Sequence, residues 1–123
     1  MSGTKVLANT NVIINHLAGN MQVEALLEGY TVYISSLTFS ELLSSAALST
    51  EEEEIVRQYL KQVYIIHTND FICELAATLR RKVKIKLPDA IIAATGFFLD
   101  IPLITFDTDF EKIKDIRIIK LDL

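Results

Sequence analysis

Four apolar segments of this sequence are each interrupted by one acidic or amide side chain. They are Val6-Leu7-Ala8-Asn9-Thr10-Asn11-Val12, Ser40-Glu41-Leu42-Leu43, Leu87-Pro88-Asp89-Ala90-Ile91-Ile92 and Leu103-Ile104-Thr105-Phe106-Asp107. Glu41 is the only charged residue between Glu28 and Glu51, Asp89 the only one between Lys86 and Asp100, and Asp107 ends the uncharged run Ile101 to Phe106. An isolated carboxylate in core-forming sequence is unfavourable unless it is paired or metal-bound. Carboxylates drawn from separate segments into one pocket repel each other, and a bound cation removes that penalty. Oxygen-only donors select a hard ion, Mg²⁺ or Mn²⁺ ahead of Zn²⁺, because no His or Cys accompanies them. Such an ion lowers the pKa of a bound water and neutralises phosphoryl charge, which makes phosphodiester hydrolysis the leading chemistry.

Each acid also has a plainer reading. Asp89 can serve as a carboxylate in a helix's first turn, and Asp107 with Thr108 and Asp109 can form an Asx turn or cap. Asp109 is expected to cap a short helix toward Ile113. His16 and His67 stand alone and read as surface or packing residues, and the single cysteine, Cys73, as an inert packed thiol. Four glycines build no phosphate-cradling loop, no G-x-G-x-x-G and no G-x-S-x-G. A phosphoacceptor signalling domain needs an acidic pair after the first strand, and none is present.

These side chains need a scaffold. Strand-like runs occur at Lys5–Ala8, Thr31–Ser35, Val63–Ile66, Pro102–Phe106 and Arg117–Leu121, rich in Val, Ile, Leu and Tyr. Between them, Gly19 or Asn20 opens a helix through Glu28, and Ser35 or Ser36 caps one to about Leu48. Thr50 and Glu53 give a capping-box spacing for a helix to about Gln62, which makes Glu51–Glu54 a solvated first turn. Asn69 opens a helix whose stripe is Ile72, Leu75, Ala76, Leu79 and Val83. Pro88, favourable at a first helical position, places Asp89 in the opening turn of an almost wholly apolar helix to about Leu99. Strands alternating with helices imply a mainly parallel sheet covered on both faces, with its site beyond the carboxyl ends of the strands. Asn9 and Asp107 each follow a strand, and Glu41 and Asp89 are expected in opening helical turns, so all four belong at one end.

Length and composition, 123 residues of which 50% are hydrophobic and 23% charged, describe one globular domain over residues 1–123. No apolar run approaches the roughly 20 residues of a membrane span, and no signal-like leader opens the chain; a cytoplasmic protein with no membrane role is expected. The net charge of −4 argues against general nucleic-acid affinity. Five of the twelve Lys and Arg nevertheless fall at Arg80, Arg81, Lys82, Lys84 and Lys86. That patch suits a helix end, where cations complement the dipole, and also contact with phosphates. Apolar residues near Met21–Leu27 and Leu42–Leu48 could be core or a two-fold contact.

Asn9-Thr10-Asn11-Val12-Ile13-Ile14 resembles the D-T-N-V-hydrophobic-I opening of PIN-domain ribonucleases, and Leu87 to Thr95 resembles their D-A-x-I-A-A-T helix start. Ser40-Glu41-Leu42 matches their second acid, and Leu103 to Phe110 is similar to their closing T-x-D-x-D-F segment. The likeness spans nearly the whole chain, whose length is most similar to VapC-type toxins of toxin–antitoxin pairs. It implies a PIN-like three-layer α/β/α sandwich and a Mg²⁺-dependent endoribonuclease acting on RNA. It further implies a homodimer held inactive by a cognate antitoxin in the active-site groove. Carried over, Asn9, Glu41, Asp89 and Asp107 are the catalytic, metal-binding quartet, with Thr105 and Asp109 accessory. The departure is Asn9, where the family has aspartate. An amide oxygen can ligate a metal but brings no charge and cannot act as a carboxylate base, so activity should be weakened or lost. Asp→Asn is also the nearly isosteric change used to express a toxic nuclease in disarmed form. The alternative is a non-catalytic PIN-fold module that binds antitoxin or RNA.

Overall fold

The computed structural model describes residues 4–122. Five strands, β1 (Lys5–Ala8), β2 (Thr31–Ser35), β3 (Tyr64–Ile66), β4 (Leu103–Thr105) and β5 (Ile118–Lys120), form one sheet in the order β3-β2-β1-β4-β5. Every pairing is parallel, with Leu7 opposite both Tyr33 and Leu103, and Thr105 opposite Lys120. Six helices connect or flank the strands: α1 (Thr10–Leu17), α2 (Met21–Glu28), α3 (Ser36–Leu43), α4 (Thr50–Leu60), α5 (Asp70–Lys82) and α6 (Leu87–Leu99). A 3-10 helix, Thr108–Lys112, follows β4.

Alternation along the central strands divides the core. Leu7 and Leu103 face α5 and α6, meeting Ile72, Ala76, Leu79, Ala90, Ala93 and Ala94. Val6, Ala8, Ile34 and Ile104 face the other way, onto Val12 and Ile13 of α1, Val23 and Leu27 of α2, Leu42 of α3, and Val56 and Leu60 of α4. Successive strand side chains point to opposite faces, so both faces of the inner strands are apolar and covered, giving three layers. Burying each large aliphatic side chain here is worth about 1.5–3 kcal/mol.

The helices start where their polar residues can close them. The Asn20 side chain accepts from Gln22 and Val23 N–H, and Asn69 accepts from Ile72 N–H. At α4 the capping box is formed by Ser49 and Glu52, one residue ahead of the expected Thr50 and Glu53, and the helix ends at Leu60. Segment 10–17, for which the sequence suggested no helix, is α1, with Asn9 as its cap. Helix α3 stops at Leu43 rather than near Leu48, and Ser44 Oγ and N–H both bond back to the Glu41 carbonyl. Glu41 therefore stands in the last turn of its helix, not the first. Helix α6 begins at Leu87, with Asp89 in its first turn as expected. Its end is less buried than its apolar sequence suggests: Phe97 and Phe98 are exposed. Cys73 is exposed rather than packed, because it sits one position off the Ile72–Ala76–Leu79 stripe.

Candidate active site

The strand order places β4 beside β1 although four helices and two strands intervene before α5 and α6. That reversal of winding opens a crevice past the carboxyl ends of β1 and β4, where such sheets hold their sites. The pairing continues past β1, since Asn9 N–H donates to the Ile104 carbonyl at 3.0 Å. Position 9 is thereby set against Thr105, the last residue of β4.

Asn9 is buried and has both ends of its amide engaged. Oδ1 accepts from Thr10 N–H at 2.9 Å, and Nδ2 donates to Thr105 Oγ1 at 2.9 Å. Only the oxygen can accept from a backbone N–H, so the amide has one permissible orientation. Thr105 Oγ1 accepts a second bond, from Asp107 N–H at 3.0 Å. Asp107 then caps the 3-10 helix, its Oδ1 accepting from Asp109 N–H at 2.8 Å. This is the Asx-type cap expected of Asp107; Asp109, also expected to cap, is the capped residue, and its carboxylate pairs with Lys112 at 3.3 Å. Asn11 Oδ1 accepts from Phe106 N–H at 3.5 Å, tying α1 to the same turn.

Glu41 reaches this group from α3, its Oε1 accepting from Thr10 Oγ1 at 2.6 Å. Asp89 enters from α6, half-buried. Burial raises its pKa above the ordinary carboxylate value, the Asp107 carboxylate raises it further, and Glu41 and Asp109 add to the same push against the opposing charge of Lys86. Asp89 thus shares one electrostatic neighbourhood with Asp107, Glu41 and Asp109, and Asn9 joins it through Thr105 to Asp107 and through Thr10 to Glu41. Two hydroxyls not named as site residues from the sequence belong to it, Thr10 and the buried Thr38, whose Oγ1 atoms are 2.9 Å apart. A hydroxyl directly after a nominated acid position is the signal that could have found Thr10.

All the candidate donors are oxygens. Among the described residues no three His, Cys, Asp or Glu side chains form a metal-ligating group by themselves. The remaining place is held by the Asn9 amide, whose Oδ1 keeps a second lone pair beside its bond to Thr10. The set fits a hard divalent ion in kind, not as a preformed cage. Two basic residues border the acids, Lys86, whose charge acts on Asp89, and Lys112, paired with Asp109. Arg80, Arg81 and Lys82 lie in the last turn of α5, where Arg80 Nε is tied to the Ile85 carbonyl at 3.1 Å. Next to Glu41, an apolar groove of about 340 Å³ runs between α1, α3 and α4, lined by Ile14, Leu17, Leu42, Leu48, Ile55 and Val56.

The sequence matches the PIN domain family over residues 6–116. This chain belongs to that family. The PIN domain is similar to a chain of a toxin–antitoxin complex from Klebsiella pneumoniae, 32% identical, with a TM-score of 0.83 over 94% of this chain and 96% of that one. It shares its fold with a chain of DNA-bound VapBC from Salmonella typhimurium, 20% identical, TM-score 0.83, covering 94% and 97% of the two chains. A chain of VapBC2 from Rickettsia felis bound to a promoter DNA fragment gives 20% identity and a TM-score of 0.79 over 96% and 99%. No curated protein matches this PIN domain. Among its described residues no helix is long and apolar enough to cross a membrane.

Proposed function

We propose that this PIN domain is the toxin of a toxin–antitoxin pair, a Mg²⁺-dependent endoribonuclease of the cytoplasm whose activity is weakened by Asn9. The observation that carries this reading is the hydrogen-bonded frame that ties position 9 to Asp107 through Thr105 and to Glu41 through Thr10, with the Asp89 pKa raised by burial and by the Asp107 charge beside it. Acids concentrated at a strand-end crevice suit binding of a divalent cation and positioning of a phosphodiester. Asp89 and Asp107 would hold Mg²⁺, or Mn²⁺ in its place, with the position 9 oxygen, and Glu41 would orient a water or complete the set. When bound, the ion supplies an activated water and charge neutralisation at the phosphoryl group. Thr105 steadies position 9 and Asp107 together. Arg80, Arg81, Lys82, Lys84 and Lys86 are proposed to guide RNA phosphates toward the crevice.

The partner is an antitoxin segment presenting apolar side chains to the groove beside Glu41, where Ile14 and Ile55 are more than half exposed. Phe71 and Phe98, exposed with ring centroids 5.6 Å apart on α5 and α6, support a homodimer through that face. Asn9 favours one second reading, a non-catalytic PIN-fold module that binds antitoxin or RNA, because its amide is held by Thr10 and Thr105 and brings no charge.

Digestion of structured RNA separates the two. The Asn9→Asp protein is expected to cleave with Mg²⁺ or Mn²⁺ and stop with chelator. The Asn9 chain should cut about 100-fold more slowly, a loss of ~3 kcal/mol of transition-state stabilisation. No cleavage by Asn9→Asp across such substrates overturns the nuclease reading and leaves the binding module.

A further inference from the structure

Glu41 differs from the other acids in how it reaches the crevice. Asp89 and Asp107 are on short side chains fixed by the start of a helix or turn, whereas Glu41 is a long, exposed side chain in the last turn of α3. Left alone, it would sample several rotamers. Its Oε1 instead accepts from Thr10 Oγ1 at 2.6 Å, within the short range of a hydroxyl bonded to a carboxylate. Behind Thr10, at 2.9 Å, stands the hydroxyl of Thr38, which is fully buried and lies three residues before Glu41 on the same side of α3.

Counting protons fixes the direction of this chain. An ionised carboxylate only accepts, so the single hydroxyl proton of Thr10 goes to Glu41. The contact between the two hydroxyls then needs the Thr38 proton. Both O–H bonds therefore point toward Glu41, and each polarises the next. Thr10 has a second attachment: its backbone N–H donates to Asn9 Oδ1 at 2.9 Å. One residue thus grips position 9 with its main chain and Glu41 with its side chain, and its β-branching restricts where the hydroxyl can aim.

We propose that Thr10, backed by Thr38, is a positioning residue that fixes the Glu41 carboxylate relative to position 9. The inference rests on the reading above that Glu41 serves the crevice. Thr10→Val keeps the shape and the backbone N–H but removes the hydroxyl proton, Thr10→Ser keeps the proton, and Thr38→Val removes only the backing donor.

Two measurements test it in the full chain. The first follows the Glu41 side-chain methylene signals by NMR in chelator. They should be dispersed in the parent and in Thr10→Ser, and averaged as in a free glutamate in Thr10→Val. The second is Mn²⁺ binding by calorimetry in the Asn9→Asp background. Affinity should fall about tenfold with Thr10→Val, as for loss of a hydrogen-bond partner of a metal ligand, less with Thr38→Val, and little with Thr10→Ser. Should Thr10→Val fail to fold, Thr10→Ala carries the same readouts. Unchanged Glu41 signals in the variant lacking the hydroxyl overturn the proposal. Absence of Mn²⁺ binding in every chain would instead remove the metal reading of the crevice, and the Glu41 signals alone then decide the role of Thr10.

Discussion

Asn9 Nδ2 donates to Thr105 Oγ1 across 96 positions of sequence, at 2.9 Å and out of contact with water. This bond closes the junction between the carboxyl ends of β1 and β4. The same hydroxyl oxygen also receives Asp107 N–H, so one threonine serves both sides of the crevice.

Removing that acceptor should be felt in stability. Thr105→Val preserves shape but leaves the Asn9 amide and Asp107 N–H without their partner, which is expected to destabilise by about 2 kcal/mol. Thr105→Ser should lose less than about 1 kcal/mol, chiefly the transfer of one methyl group. Urea denaturation of the two variants beside the parent measures the difference, and equal midpoints for Val and Ser would show the hydroxyl to be idle.

Asn9→Asp reverses the polarity of this bond without requiring the heavy atoms to move. A carboxylate oxygen can only accept, so Thr105 must become the donor. The change also brings a new negative charge one hydroxyl away from Asp107. In chelator the Asn9→Asp protein should melt below the parent, by ~1 kcal/mol of like-charge repulsion. Millimolar Mn²⁺ should raise its melting temperature above the parent's, since a ligand that binds only the folded state stabilises it. Thermal denaturation with and without the ion checks both, and an order that does not change between the two conditions counts against a cation at this crevice.

Two carboxyls give opposite pH dependences. Burial, then the Asp107 charge, raises the pKa of Asp89. Its contribution to stability is present below the ordinary carboxylate pKa and is lost as pH rises through the raised value. Hydrogen bonds from Ser49 backbone and side chain lower the pKa of Glu52, so its contribution is present above the ordinary value and lost as pH falls through the lowered one. Asp89→Asn should therefore melt higher than the parent at neutral pH in chelator, and the gap should close toward acid. A gap that widens on acidification would contradict the assignment.

Gly96 is buried at the start of the last turn of α6, with no special backbone angle to protect it. A Cβ there would meet the Ile101 carbonyl and a Leu7 methyl group, both at 3.6 Å, an ordinary contact distance. Gly96→Ala is expected to stabilise by about 0.5–1 kcal/mol, through helix propensity and a less flexible unfolded chain. Calorimetry reads it directly; a lower melting temperature would mean that the α6–β1 contact is tighter than these distances indicate.

Much of this arrangement was legible in the residues. The β-rich runs located all five strands, Asn20 and Asn69 announced their helices, and Asp89 stood out because a charged residue opens a segment otherwise apolar. The misreadings share a physical origin. Helix α1 is short and holds Val12, Ile13 and Ile14, whose β-branching gives little helical signal; packing of Val12 and Ile13 beneath the sheet supplies what propensity does not. Helix α3 ends at Ser44 without a glycine or proline to mark it, so its length, and with it the place of Glu41, could be fixed only by tertiary contacts. The choice of Asp107 over Asp109 as the cap, both of which the sequence offered, and the one-residue shift of the α4 capping box are choices between nearby side chains of like chemistry, which spacing alone does not resolve.

The insertion of β4 between β1 and β5 also dictates when the molecule can become competent during synthesis. Until residues 103–107 leave the ribosome, β1 has an open edge on one side and Asn9 lacks its threonine. A nascent chain or fragment ending short of that point retains an unpaired strand and only part of the crevice. Emergence of the β4 segment would therefore both shield that sheet edge from aggregation and complete the crevice between β1 and β4.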